Sequence, residues 1–155
     1  MRINLLTIHY GKSYGAVMQT YATCKLLEQA GHEVTVINLV HPNSRCSVKT
    51  RRGIILLLKE FQFWIFKHRY FSKLSKKCYS IDAANLPHAD IYVVGSDQVW
   101  NRDITGYWGL TFFLDFVDDT HRRIALSSSF GKLAWSENDE YTQDVLSELN
   151  KFDRI

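Results

Sequence analysis

Cysteine is scarce in this chain. Cys24, Cys46 and Cys78 are the whole complement, they form no C-x-x-C pair, and their odd number argues against a closed disulfide framework, which fits a reducing cytoplasm. Long apolar runs are missing too: none approaches the 18 or more residues of a membrane span. The opening MRINLLTIHYGKS has only a short apolar stretch and no small-residue cleavage site, so it reads as a strand and not as a signal peptide. Gly11-Lys12-Ser13 resembles the end of a phosphate-binding P-loop, but Leu6 stands where that motif needs its first glycine. The dinucleotide fingerprint fails as well, because Gly11 and Gly15 are four apart. Six histidines and three cysteines show no metal-ligand spacing, so no metal site is expected.

What is present is the composition of a soluble globular domain. Of the 155 residues 46% are apolar, 23% charged and 14% aromatic. A chain of this length buries roughly 68–70% of its unfolded surface, enough for one sizeable core. The net charge of +3 hides an uneven distribution. Arg45 to Lys77 holds ten Lys or Arg against the single acid Glu60, while the remainder is mildly acidic. Such a block suits a solvated basic helix or an anionic partner surface; nothing in it specifies nucleic acid.

Ile3 to Ile8 reads as a strand, followed by the turn-prone HYGKSYG and by a helix with Val17, Tyr21, Cys24 and Leu27 on one face. Gly31 stops that helix and Val34 to Val40 is a second strand. A strand, helix, strand unit of this kind argues for a doubly wound α/β fold with a mainly parallel sheet. Ala89–Val94 and Arg123–Ser128 add strands, and Glu137–Asn150 a helix with Tyr141, Val145, Leu146 and Leu149 inward. Between them Gly53–Ser80 is expected to be helical, in one or two pieces, as a basic insertion over about 45–80 in a single domain 1–155. Its aromatics amid Lys and Arg allow either peripheral membrane contact through 54–77 or a helix packed on the sheet or on a neighbour.

Three loops behind strands carry small and polar residues. The first presents Tyr14 and Gly15 at a helix start, an end that attracts anions and sugar or phosphate oxygens, with Gln19 one turn further in. In the second, VVGSDQVWN, Gly95 permits a special backbone conformation and Ser96 or Asp97 is placed to cap a following turn. Capping leaves Gln98, Trp100 and Asn101 unexplained. A tryptophan beside amides and a carboxylate suits a saccharide cleft, and equally a capped turn with Trp100 in the core. The third loop, SSSFGK, contributes Ser129 and Gly131. Arg102, Arg122, Arg123, Lys12 and Lys132 lie near these loops in sequence.

YGAVMQTYA, VVGSDQVWN, FFLDFV and IALSSSFGK, in this order, resemble the N-terminal half of the polysaccharide pyruvyl transferase family. The likeness runs from Arg2 to Ile155, with Asn43–Ser80 alike only as a basic helical stretch. It implies a Rossmann-like domain similar to the first half of a GT-B architecture, in members about twice as long, so that this 155-residue chain is expected to be truncated, without the family's C-terminal half and inactive unless a separate half complements it. It also implies transfer of a pyruvyl group from phosphoenolpyruvate, a donor substrate and not a cofactor, onto two hydroxyls of a saccharide or lipid-linked glycan. The setting implied is exopolysaccharide, capsule or cell-wall synthesis; the cysteines favour the cytoplasm, and the basic aromatic stretch allows a peripheral place at the inner face of the membrane. Asp97 is then the candidate base or hydroxyl-orienting acid, with Tyr14, Gly15, Gln19, Gly95, Ser96, Gln98, Trp100, Asn101, Ser129 and Gly131 around the acceptor. Two other readings stand beside it: the first half of a GT-B glycosyltransferase, and a non-catalytic sugar-binding or partner module.

Overall fold

A computed structural model describes residues 1–10, 13–42 and 51–155. Gly11, Lys12 and Cys46, named above, lie outside them.

Strand β1 (Arg2–Leu6) leads through the first loop into helix α1 (Tyr14–Gln29) and back to β2 (Glu33–Val36). Helix α2 (Arg51–Tyr70) follows, then β3 (Ile91–Asp97), a short helix α3 (Arg102–Thr105), β4 (Arg122–Ser128) and helix α4 (Asp139–Leu149). The four strands are all parallel, in the order β2-β1-β3-β4. This is a Rossmann-like doubly wound sheet, and both of its faces are covered. Ile3, Leu5, Val34, Val36, Ile91 and Val93 pack with Val17 and Cys24 of α1 and Phe63 of α2. Leu6, Tyr92, Val94 and Ala125 face the other way, onto Trp108, Phe112, Phe113 and Val145. Burial on both faces is why β3 opens as a near-continuous apolar run, and why Asn4 of β1, 1% exposed, donates its amide to the Pro87 carbonyl at 2.8 Å.

Residues 153–154 continue the sheet. Arg154 forms an isolated parallel bridge to Ile124, and the Ala125 N–H donates to the Arg154 carbonyl at 2.9 Å, so this segment lies along the outer edge of β4.

Two expectations need correction. The basic stretch is helical only to Tyr70. Beyond it, Leu74 and Cys78 form isolated parallel bridges to Val36 and Leu39, with the Val36 N–H donating to Lys73 O at 3.0 Å and Ser75 N–H to Val36 O at 2.9 Å. A strap therefore runs along the outer edge of β2, whose unpaired backbone groups it satisfies; that demand is tertiary and overrides local helix preference. In α4, Val145 is buried and Tyr141 and Leu149 pack on the core, but Leu146 is 47% exposed. The other inward polar group is Glu148, which pairs at 3.0 Å with Arg123, itself only 2% exposed. A buried guanidinium has to be matched, and Glu148 takes the inward position for that reason.

Candidate functional site

The chain order reverses between β1 and β3: β1 connects to β2 on one side while β3 lies on the other. In open α/β sheets that switch point, at the carboxyl ends of the strands, opens the crevice where ligands bind. Thr7, just past β1, donates its hydroxyl to the Ser96 carbonyl across this point at 3.1 Å. Thr23 of α1 shares a hydrogen bond with the Ser96 hydroxyl, also at 3.1 Å. Ser96 is thus a buried tie between β1, α1 and β3.

Loops β3 and β4 are laced together beside it. Ser129 N–H donates to Asp97 O at 3.0 Å, Trp100 N–H to Ser129 O at 3.2 Å, and the Ser128 hydroxyl to Val94 O at 3.0 Å. Gly131 (φ 64°) lies so close to Gln98 that a β-carbon there would run into the Gln98 amide. Positive φ collects here: Gly95 at 108°, Asp97 at 95° and Ser127 at 51°. Strained backbone of this sort persists where the surroundings over-determine it, as at binding sites.

Asp97 ends β3, partly exposed, and one of its carboxylate oxygens accepts the Gln98 N–H at 2.7 Å. It does not cap the next helix, and neither does Ser96. That role belongs to Asn101, whose side-chain oxygen accepts Asp103 N–H at 3.1 Å while its amide N–H donates to Gln98 Oε1 at 2.9 Å. Asn101 is thereby buried and used at both ends. Its replacement by Ala is expected to lower stability by about 1 kcal/mol, the usual cost of a lost cap, seen as a lower urea midpoint with unchanged m-value.

Trp100 was open to two readings, and the structure places its ring in the core, 5% exposed. The ring stacks on Phe113 at 5.5 Å, meets Phe130 at 5.3 Å and donates its N–H to Phe112 O at 3.0 Å. A ring closed in on these sides seats the loop from beneath and does not line a cleft, which corrects the expectation of a sugar-stacking wall. The groups presented outward are Asp97, Gln98, Ser129 and Gly131.

Ser13 caps α1, accepting Ala16 N–H at 3.3 Å. Tyr14 turns its ring to Phe63 of α2 at 4.7 Å, Gly15 has no crowded neighbour, and Gln19 is exposed. The cations are largely committed. Arg102 pairs with Glu137 at 2.6 Å, and Lys132 with Glu137 at 3.3 Å and Asp103 at 3.4 Å. The Arg102 hydrogen bond, with Lys132 beside it, holds Glu137 below the usual carboxylate range. Arg122 and Arg123 begin β4, at the end of the strand opposite the crevice. Among the described residues no three His, Cys, Asp or Glu side chains gather in a way that would hold a metal ion.

The sequence reading passed over His9. It is 1% exposed, with Nδ1 3.2 Å from Thr7 O and Nε2 3.2 Å from Asn38 Oδ1. Burial first, then the nearby Lys67 charge, push its pKa down to about 4 from the ordinary 6.5. The unfolded chain takes up that proton more readily, so this contribution to stability is complete above pH 6.5 and is lost as pH falls toward 4. His9→Gln is expected to flatten the dependence of the urea midpoint on pH across that window. Beside His9 a groove of about 830 Å³ opens at the ends of β1 and β2, lined by Tyr10, Asn38, Trp64, Lys67, Phe71 and Lys77. The available signal was a polar residue following the apolar β1 run at a buried position.

The all-parallel sheet, covered by helices on both faces, makes this a Rossmann-like α/β domain. The family model for polysaccharide pyruvyl transferase matches residues 14–155, and the chain belongs to that family. No curated protein and no solved structure matches it.

Proposed function

We propose that this chain supplies the acceptor side of a transferase that moves a pyruvyl group from phosphoenolpyruvate to two hydroxyls of a saccharide, free or lipid-linked, in exopolysaccharide, capsule or cell-wall synthesis. In that reaction the enol methylene gains a proton and becomes methyl. The two hydroxyl oxygens bond to the former enol carbon, the C–O bond to phosphate breaks, and inorganic phosphate leaves. Of the two hydroxyl protons, one balances the new methyl hydrogen and the other, passed through a base, ends on the departing phosphate as hydrogenphosphate.

The observation that carries this reading, beside family membership, is the partly exposed Asp97 carboxylate at the switch point, one oxygen of which accepts the Gln98 N–H at 2.7 Å. Asp97 acts as the base for an acceptor hydroxyl, with Gln98 and Ser129 orienting the sugar. The donor's phosphate and carboxylate call for Arg or Lys, best in paired contacts. Arg102 and Lys132 are paired with Glu137 and Asp103, and family resemblance assigns the donor-binding cations largely to a second half, joined or separate.

The test follows phosphate release from phosphoenolpyruvate with glycan acceptors, for this chain alone and with the second half of a family member added. Acceptor-dependent release in either setting supports the reading. Its absence in both, with both parts folded, overturns it.

A further inference from the structure

Helix α2 shows two apolar faces where a surface helix has one. Phe63 is buried against the sheet layer, with Phe66 partly buried beside it. Round the helix from these, Ile54, Leu57, Leu58, Phe61, Trp64 and Ile65 form a continuous stripe, which at 100° per residue spans roughly 120° and whose Leu57, Phe61 and Trp64 also border the groove beside His9. These side chains are open: Ile54 is 50% exposed, Leu58 60%, Phe61 57% and Trp64 52%. Phe61 and Trp64 stack on each other at 5.9 Å, outside the core. A soluble surface seldom leaves so continuous an apolar patch without a partner.

Charge decides what the partner is. Residues 45–77 carry ten Lys or Arg and one acid, Glu60. Lys59 and Arg69 on the helix and Lys76 and Lys77 on the strap after it are exposed. A second copy of this chain would bring a like-charged surface against this one, which is repulsive. An anionic lipid surface meets the cations with phosphate groups and takes the apolar stripe a few ångströms below them. No helix among the described residues is long and apolar enough to cross a membrane, so the fit is along the surface. We propose that α2 is an interfacial helix by which this domain docks on an anionic membrane surface, stripe inward and cations at headgroup level. This goes beyond the transferase reading and stands or falls separately from it.

The test is co-sedimentation of the full chain with vesicles of phosphatidylcholine alone and of phosphatidylcholine with 30% phosphatidylglycerol, at low and high salt. Binding to the anionic vesicles is expected, weakened by salt, with little on the neutral ones. Arg69→Gln, beside the stripe, is expected to cost roughly fivefold in the partition coefficient. Phe61→Glu, on an exposed position and checked for folding by circular dichroism, is expected to lower binding at least as much. Equal binding to both vesicle types, or none to the anionic ones, overturns the proposal. So does a dimer of this chain that Phe61→Glu disperses in the absence of lipid.

Discussion

Asp97→Asn is expected to lower acceptor-dependent phosphate release by roughly a hundredfold to ten-thousandfold, the range over which a positioned general base contributes. The substitution is chosen because the fold accepts it. Asp97 sits at φ 95°, a region that Asn, like Asp, enters more readily than other side chains. The Asn side-chain oxygen can still accept the Gln98 N–H that Asp97 accepts at 2.7 Å. What is lost is the capacity to take a proton. The fall should therefore appear in kcat with little change in the acceptor KM or in the thermal midpoint. An unchanged kcat would retire Asp97 as the base and leave it as a turn residue.

Gly95→Ala is expected to destabilise the domain by roughly 3 kcal/mol or more, adding a positive-φ penalty to a clash that backbone must relieve. Gly95 stands at φ 108°, and a β-carbon there would collide with the Leu126 carbonyl and the Ser128 hydroxyl. Both belong to β4, which pairs with β3 through Gly95↔Leu126 and Asp97↔Ser128. Relief would pry apart the two strands that present Asp97. Urea unfolding of the Ala variant, read against wild type, checks the magnitude. Gly31→Ala is the control, since it shares a positive φ of 86° but has open space where the methyl would go, and it should cost less.

Much of the scaffold was legible along the chain. The apolar runs of β1 and β3 and the spacing of Val17, Tyr21, Cys24 and Leu27 announce strand, helix and a sheet covered on both sides. The glycine of VVGSDQVWN announces a backbone turn. Local pattern suffices for these because each is a near-neighbour effect, a matter of periodicity or of allowed φ. The strap over 71–80 was not legible, because its conformation is set by the empty edge of β2, forty residues away in sequence. Leu146 and Glu148 were misjudged or missed for a related reason: the pairing of Glu148 with Arg123 lies across the fold.

The candidate site divides along the same line. Residue order placed Asp97, Gln98, Ser129 and Gly131 at strand ends, because a chain leaving a parallel strand must turn at that edge and polar side chains there stay wet. Whether Trp100 and Asn101 faced a ligand or the protein was open until the partners were in place. Phe112, Phe113 and Phe130 close over the indole, and Asp103 and Gln98 use both ends of the Asn101 amide. A side chain's type limits what it can bond to, but burial is a property of everything packed around it, and those neighbours meet only when the sheet is assembled.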